Sequence, residues 1–232
     1  MSTIDVTCTC GAEFTLSIKG TQSRWLLAMA QRTKCQDCAD RLDREAEEAE
    51  RKEAREARRA RCQMPKRLRG ETLDRLPATP EQEVAVSAAK DWAAGDIPGL
   101  MLTGPTGTGK TRIAAAACWT RLEREPCAYV SVAHAMTQLA SSLTDEGRAE
   151  TARRFHGTGA VVLDDLDKCR PTDYGKEQIF AAVDAREQAG APLLVTTNLT
   201  PSEIAERFGE ALASRLVGYC QRVHVSGEDR RL

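Results

Sequence analysis

The sequence predicts an α/β protein in which a parallel five-stranded sheet lies between helices, preceded by a small cysteine-bearing module and a charged helix. Three observations carry this. From residue 80 onward, short apolar runs alternate with helical patterns, as in a parallel sheet covered on both faces. Gly104-Pro-Thr-Gly-Thr-Gly-Lys110-Thr111 fits G-x-x-x-x-G-K-[ST] without a mismatch, between one such run and a helix. Four of the nine cysteines fall as two close pairs within residues 1–39.

Each element has a local reason. Cys35-Gln-Asp-Cys38 is a C-x-x-C pair, and Cys8-Thr-Cys10-Gly11 a tighter C-x-C pair. Two cysteine pairs without a histidine suggest a structural zinc site on Cys8, Cys10, Cys35 and Cys38, with free thiols or a redox pair as the alternative. A module of residues 1–39 has too little core to fold unaided, and a metal would supply the missing free energy. Phe14, Leu16 and Ile18 alternate as a short strand, and Trp25-Leu-Leu-Ala-Met29 reads as a mini-core. Residues 40–63 lack Gly and Pro and should form one charged helical arm. Residues 40–50 hold six acids and two bases, and residues 51–61 six bases and two acids, which complements the helix dipole. Glu47–Arg51 and Glu48–Lys52 add i,i+4 pairs. The arm reads as a solvated spacer, although residues 51–69, with nine Lys or Arg against two Glu, can also meet phosphates or an acidic partner.

Pro65, Pro77 and Pro80 punctuate a linker over 64–79, and the main domain is residues 80–232. Thr79 as N-cap and Pro80 at the first helical position open a helix to about residue 94. The predicted strands are 100–103, 127–132, 160–163, 193–196 and 222–225. A helix follows the phosphate loop to about residue 123, another carries Met136, Leu139 and Leu143 on one face, and a third spans about 175–188. Ligands of such sheets bind at the carboxyl ends of the strands, where the phosphate loop lies.

Composition narrows the class. A formal net charge of −1 makes any basic surface local, and 4% aromatics suits small-residue helices packed closely on a sheet. No run of about 18 apolar residues and no secretory n- and h-region occur, so neither membrane contact nor export is expected. Five isolated cysteines (62, 118, 127, 169 and 220) suit a reducing, cytoplasmic compartment.

The loop is a nucleoside triphosphate site. Gly104, Pro105, Thr106, Gly107, Thr108 and Gly109 wrap their N–H groups around the phosphates, Lys110 meets the β- and γ-phosphates, and the Thr111 hydroxyl ligates Mg²⁺. Val161-Val-Leu-Asp164-Asp165 ends a strand in two carboxylates. Asp164 would hold Mg²⁺ directly or through water, and Asp165 would orient and deprotonate the attacking water. Many such sites carry Glu second; Asp is one methylene shorter, so slow hydrolysis is expected. Asn198, ending Val195-Thr-Thr-Asn198, can position the water near the γ-phosphate or cap the helix at Pro201-Ser-Glu.

With these strand ends in order, residues 80–232 resemble the AAA+ ATPases of the DnaC/IstB type, the bacterial and phage replicative helicase loaders. The resemblance runs through Gly104–Thr111, Leu163-Asp-Asp-Leu166, Thr197-Asn198, Gly209-Glu-Ala-Leu-Ala-Ser-Arg215-Leu and Gly227-Glu-Asp-Arg-Arg231. It implies that Arg215 is an arginine finger acting on ATP of a neighbouring subunit and that Arg231 is a second phosphate sensor. It also sets single-stranded DNA against Thr172 and Tyr174. Physically, a guanidinium supplied in trans ties hydrolysis to self-association. A tyrosine stacked on a base is worth roughly 1–3 kcal/mol whatever the sequence. Arg215 can otherwise make a surface ion pair and Tyr174 pack on its own helix. Asp167-Lys168 departs from the Gly usual after the acidic pair, and no C-terminal helical lid is expected.

The resemblance implies an ATP-dependent loader of a hexameric, DnaB-type replicative helicase onto single-stranded DNA, in a bacterial or phage-infected cell. The N-terminal module and arm would dock on the helicase, and hydrolysis would be slow and DNA-stimulated. An IstB-type transposition helper shares the same core but would act on duplex DNA and a transposase. An adaptor that uses ATP as a switch, with little hydrolysis, is the third reading.

Overall fold

A computed structural model of the chain describes residues 2–18, 34–141, 145–156, 159–169 and 172–227. Trp25–Met29, Leu143 and Arg231 lie outside the described residues. The chain divides into two compact units, Met1–Ala54 and Arg55–Leu232.

In the first unit, β1 (Ser2–Thr7) pairs antiparallel with β2 (Glu13–Ile18), so the short strand expected at Phe14–Ile18 gains a partner. The turn between them carries Cys8 and Cys10, with Gly11 at φ +88° and its N–H donating to Cys8 O at 2.9 Å. Helix α1 (Gln36–Arg61) begins beside Cys35 and carries Cys38 in its first turn. The expected i,i+4 pair Arg51–Glu47 forms at 3.2 Å.

The second unit holds the sheet. Its strands are β3 (Gly99–Thr103), β4 (Cys127–Ser131), β5 (Ala160–Asp164), β6 (Leu193–Thr197) and β7 (Gln221–His224). The spatial order is β4-β5-β6-β3-β7, all parallel. Successive residues feed opposite faces: Leu100 and Leu102 enter one apolar cluster, Met101 the other. Helices α2 (Glu83–Ala94) and α3 (Lys110–Arg121) cover the first face with Trp92, Ile113 and a run of alanines. The second face is covered by α4 (Val132–Ser141), α5 (Asp145–His156), α6 (Asp173–Ala189), α7 (Pro201–Phe208) and α8 (Glu210–Tyr219). Full burial of each large apolar side chain is worth about 1.5–3 kcal/mol, so the two clusters supply the stability of this unit.

Three local expectations change. Val132 opens α4 instead of ending a strand. The helix expected from Pro80 starts as a 3₁₀ turn, Pro80–Gln82, before α2. The cap of α7 is Thr200, whose hydroxyl accepts from Glu203 N at 3.3 Å while Glu203 Oε2 accepts from Thr200 N at 2.7 Å. Asn198 is therefore free of that duty.

The boundary between the units falls inside the charged helix, and residues 55–79 pack as part of the second unit. Arg58 donates to the carbonyls of Leu122 and Glu123, both at 2.8 Å, closing the carboxyl end of α3. Arg55 pairs with Glu123 at 3.0 Å, and Arg59 lies over the Trp119 ring. Cys62, Met64 and Leu73 are buried in the first cluster, and Leu73 N donates to Thr120 Oγ1 at 3.2 Å. Arg112, near the start of α3, meets Glu71 at 2.7 Å. The stretch read as a spacer and linker thus runs along the phosphate-loop helix from its end to its beginning.

Candidate nucleotide-binding site and cysteine cluster

The loop between β3 and α3 has the backbone that its glycines foretell. Gly104 sits at φ +135°, and a Cβ there would lie 2.2 Å from Val225 O; Gly109 sits at φ +93°, and a Cβ would meet Gln82 Nε2 at 2.7 Å. Lys110 is buried, and its Nζ donates to Gly104 O at 2.7 Å and Pro105 O at 2.6 Å. Burial lowers its pKa, against the pull of Asp167 and Asp165. Gln82 ties the loop to the preceding 3₁₀ turn: Nε2 donates to Thr108 O at 2.6 Å, and Oε1 accepts from Thr79 N at 3.2 Å.

Strand β5 brings the two carboxylates beside the loop in unlike surroundings. Asp164 is buried, and both of its oxygens accept hydrogen bonds: from Tyr129 Oη on β4 at 2.5 Å and from Thr196 Oγ1 on β6 at 2.7 Å. Asp165 is half-buried in a left-handed conformation (φ 56°, ψ 53°), its N–H donating to Thr196 Oγ1 at 2.9 Å. A non-glycine residue held there costs about 1–3 kcal/mol, a strain that clusters at working sites. Burial, then Asp164 and Asp167, raise the Asp165 carboxyl above its ordinary range. Asn198, just past β6, donates from Nδ2 to Asp167 Oδ2 at 2.8 Å and to Thr106 Oγ1 at 3.1 Å.

Lys110, Thr111, Asp165 and Asn198 line one cavity of about 440 Å³, with Leu68 and Leu76 of the preceding segment on another side. Its size suits a small polyanionic ligand with an apolar ring system. The loop, the Thr111 hydroxyl and the carboxylates fit ATP and Mg²⁺ in donor and acceptor chemistry. The segment expected to be a linker therefore supplies part of the wall.

The remaining expected residues lie elsewhere. Arg215, on α8, makes the ion pair that was its alternative reading: Nε stands 2.6 Å from Asp184 Oδ1, and the guanidinium lies over the Phe180 ring. Thr172 caps α6 through Gly175 N at 3.2 Å, and Tyr174 is 48% exposed. Both line a second cavity of about 420 Å³ with Met136, Leu139 and Lys168. Sequence reasoning missed Gln82, Tyr129, Thr196 and Asp167. A capping-box pattern, Thr79-x-x-Gln82, flags the first; Tyr129 had no local signal.

In the first unit the sulfur atoms of Cys8, Cys10, Cys35 and Cys38 all lie within 4.8 Å of one another. A tetrahedral zinc with bonds of about 2.3 Å would want them about 3.8 Å apart, so the cluster is compatible with that ion. Backbone N–H groups of Cys10 and Cys35 pull the Cys8 thiol down to about 5, while hydrogen bonds with the neighbouring thiols push Cys38 up to about 12.

A phosphate loop, an acidic strand one place removed from it in the sheet, and an Asn-ended strand between them define a P-loop ATPase core of the AAA+ type. The chain belongs to the IstB-like ATP-binding protein family, whose model matches residues 27–232. The replicative helicase loader DnaC of Escherichia coli is 26% identical over 138 residues, 57% of this chain and 56% of its own length. The chromosomal replication initiator DnaA of a Caulobacter strain is 21% identical over 141 residues, 58% of this chain and 29% of its own. An insertion-sequence ATP-binding protein of Mycobacterium tuberculosis is 25% identical over 138 residues, 57% of this chain and 55% of its own. The matched part of the chain thus spans little more than half of these relatives at most. Among solved structures, the DnaC helicase loader superposes with a TM-score of 0.58 at 22% identity, covering 70% of this chain and 100% of that one. DnaI gives 0.61 at 20% identity, covering 73% and 95%. These likenesses establish the fold. Among the described residues no helix is long and apolar enough to cross a membrane.

Proposed function

We propose that this protein binds and slowly hydrolyses ATP with Mg²⁺, and loads a hexameric, DnaB-type replicative helicase onto single-stranded DNA. The observation that carries the ATPase half is the convergence of Lys110, Thr111, Asp165 and Asn198 on one cavity. Asp164, fixed by Tyr129 and Thr196, acts on Mg²⁺ by charge and through water, and Asp165 takes the proton of the attacking water. Arg215 leaves Asp184 to reach the ATP of a neighbouring copy, and Arg231 contacts the phosphates from the chain's end. Single-stranded DNA lies against Thr172 and Tyr174, a base stacking on the half-exposed ring. Similarity to the DnaC loader supports the helicase as partner. Zinc on the four cysteines folds the first unit, which with the charged helix is the docking element.

The insertion-sequence relative favours a second reading, a transposition helper on duplex DNA. Capture of purified replicative helicase in ATP separates them, using the full chain and a variant lacking residues 1–54. The cut is placed there because residues 55–63 pack with the ATPase unit. Capture by the full chain that fails in the variant, with ATP binding retained, is expected. No capture by the full chain, together with preference for duplex over single-stranded DNA, would replace the loader with the transposition helper.

A further inference from the structure

Asp167 stands where the resemblance leads one to expect glycine, and it is 9% exposed. It lies in the 3₁₀ turn Leu166–Lys168 that follows Asp165. Both of its oxygens are occupied by one residue just past β6: Oδ1 accepts from Asn198 N at 3.0 Å, and Oδ2 from Asn198 Nδ2 at 2.8 Å. Lys168 Nζ stands 3.2 Å from Oδ2 and balances the charge. A carboxylate only accepts, so the Asn198 amide must face it with its NH₂; turned the other way, two acceptors would oppose each other in a nearly buried place. The second amide hydrogen goes to Thr106 Oγ1 at 3.1 Å. Both Nδ2 hydrogens are then committed, and the carbonyl Oδ1 is the polar atom that Asn198 has left for the cavity it lines.

We propose that Asp167 is a positioning residue that holds Asn198 with Oδ1 presented to the attacking water, so that Asn198 orients water by accepting its hydrogen instead of donating to the γ-phosphate. This rests on the cavity being an ATP-hydrolysing site. In the step, the water oxygen forms its bond to the γ-phosphorus as the bond to the β–γ bridging oxygen breaks. One water proton passes to the Asp165 carboxylate; the other stays on oxygen, hydrogen-bonded to Asn198 Oδ1. ADP leaves with the electron pair, and Asp165 later returns its proton to solvent. Orientation of this kind matters, since a misplacement of about 1 Å can cost a hundredfold in rate.

The test exchanges the pair in the full-length protein: Asp167→Asn, Asn198→Asp, and both together. In Asp167→Asn the facing amide no longer dictates which way Asn198 turns; in Asn198→Asp two carboxylates face each other. The double variant restores a donor at 167 and an acceptor at 198. Turnover at saturating ATP, the affinity for a non-hydrolysable ATP analogue and the melting temperature are read for each. Each single variant is expected to lose about tenfold to a hundredfold in kcat. Asp167→Asn should keep analogue affinity within about threefold, or bind more tightly where the turned amide donates to the γ-phosphate. The double variant should regain at least part of kcat. Wild-type kcat in Asp167→Asn, or a double variant no faster than the slower single one at an unchanged melting temperature, would overturn the positioning role while leaving the ATPase intact. Analogue binding without any turnover in the wild-type protein would remove the hydrolytic reading and this role together.

Discussion

The two units of this chain are held together by opposite means. Among the described residues of Met1–Ala54, those buried are Val6 and three of the four clustered cysteines. Arg55–Leu232 buries two apolar layers on either side of a five-stranded sheet. The thiols follow their surroundings. In the first unit, the backbone N–H groups of Cys10 and Cys35 pull Cys8 down to about 5, while hydrogen bonds with the neighbouring thiols push Cys38 up to about 12. In the second, burial, with Cys127 and Cys62 alongside, pushes Cys118 well above its ordinary value, while Cys62, its sulfur 3.6 Å away, is lowered by its hydrogen bond with Cys118. Four sulfurs within 4.8 Å of one another make the first unit the candidate metal site among the described residues. The zinc proposed for the first unit would therefore carry its folding, whereas the second unit has its own apolar core.

The largest effect should follow from removing the zinc proposed for the first unit. Structural zinc supplies about 10–16 kcal/mol to small modules at neutral pH. Chelation, or Cys38→Ser, should abolish hydrogen-exchange protection across β1 and β2 while leaving β3 to β7 and ATP binding as they were. One zinc per chain by elemental analysis is the companion measurement. Protection of β1 and β2 that survives in metal-free protein would show that the first unit has another source of stability.

The reverse perturbation acts on the second unit through Arg186. Its guanidinium is buried, donating to Gly159 O at 2.7 Å and to Pro192 O and Phe155 O at 3.3 Å, and burial draws its pKa down to about 10. Arg186→Met removes the guanidinium from three carbonyls, of which Pro192 O keeps Val161 N–H at 3.0 Å, and should cost about 3 kcal/mol. That lowers the melting temperature by about 6–12 °C, by calorimetry. Zinc content should not change. A shift under about 2 °C would mean that water takes over those carbonyls.

What the sequence disclosed and what it hid divide along a related line. The phosphate loop was legible because its backbone admits few residues at Gly104 and Gly109, and that demand is written locally. The strand ends at Asp164 and Asn198 were legible for the same reason, as apolar runs stopping in polar residues. The supports were not. Tyr129 reaches Asp164 from the next strand, and Asp167 reaches Asn198 from a turn 31 residues away in sequence, with no periodicity to announce either. Residues 64–79 looked like a linker because proline marks an extended chain whether or not that chain is packed. Only isolated apolar residues, Met64 and Leu73, tell the two apart. Helix α5 was missed because Phe155 is nearly alone as its apolar anchor.

The smallest effect tests whether the second unit's large core carries a cost at its site. Asp165 has its carboxyl raised above the ordinary 3.8 by burial and by Asp164 and Asp167. The folded state then binds the proton more tightly than the unfolded state does. Its contribution to stability is present below about pH 3.8 and is lost as pH rises through the raised value. At neutral pH an ionised Asp165 would therefore weaken the nucleotide-free fold, while the base role proposed for it needs that charge. Asp165→Asn should abolish turnover yet raise the melting temperature at pH 7 by about 1–3 °C, since a half-exposed charge is screened to under about 1 kcal/mol. Asn also tolerates the left-handed backbone at this position, which would add stability at every pH. The two causes separate by titration. An advantage of Asp165→Asn that shrinks between pH 7 and pH 4 belongs to the charge, and one that stays constant belongs to the backbone. A variant less stable than wild type at pH 7 would show that Asp165 is held by favourable contacts, with Lys110 and Lys168 outweighing its acidic neighbours.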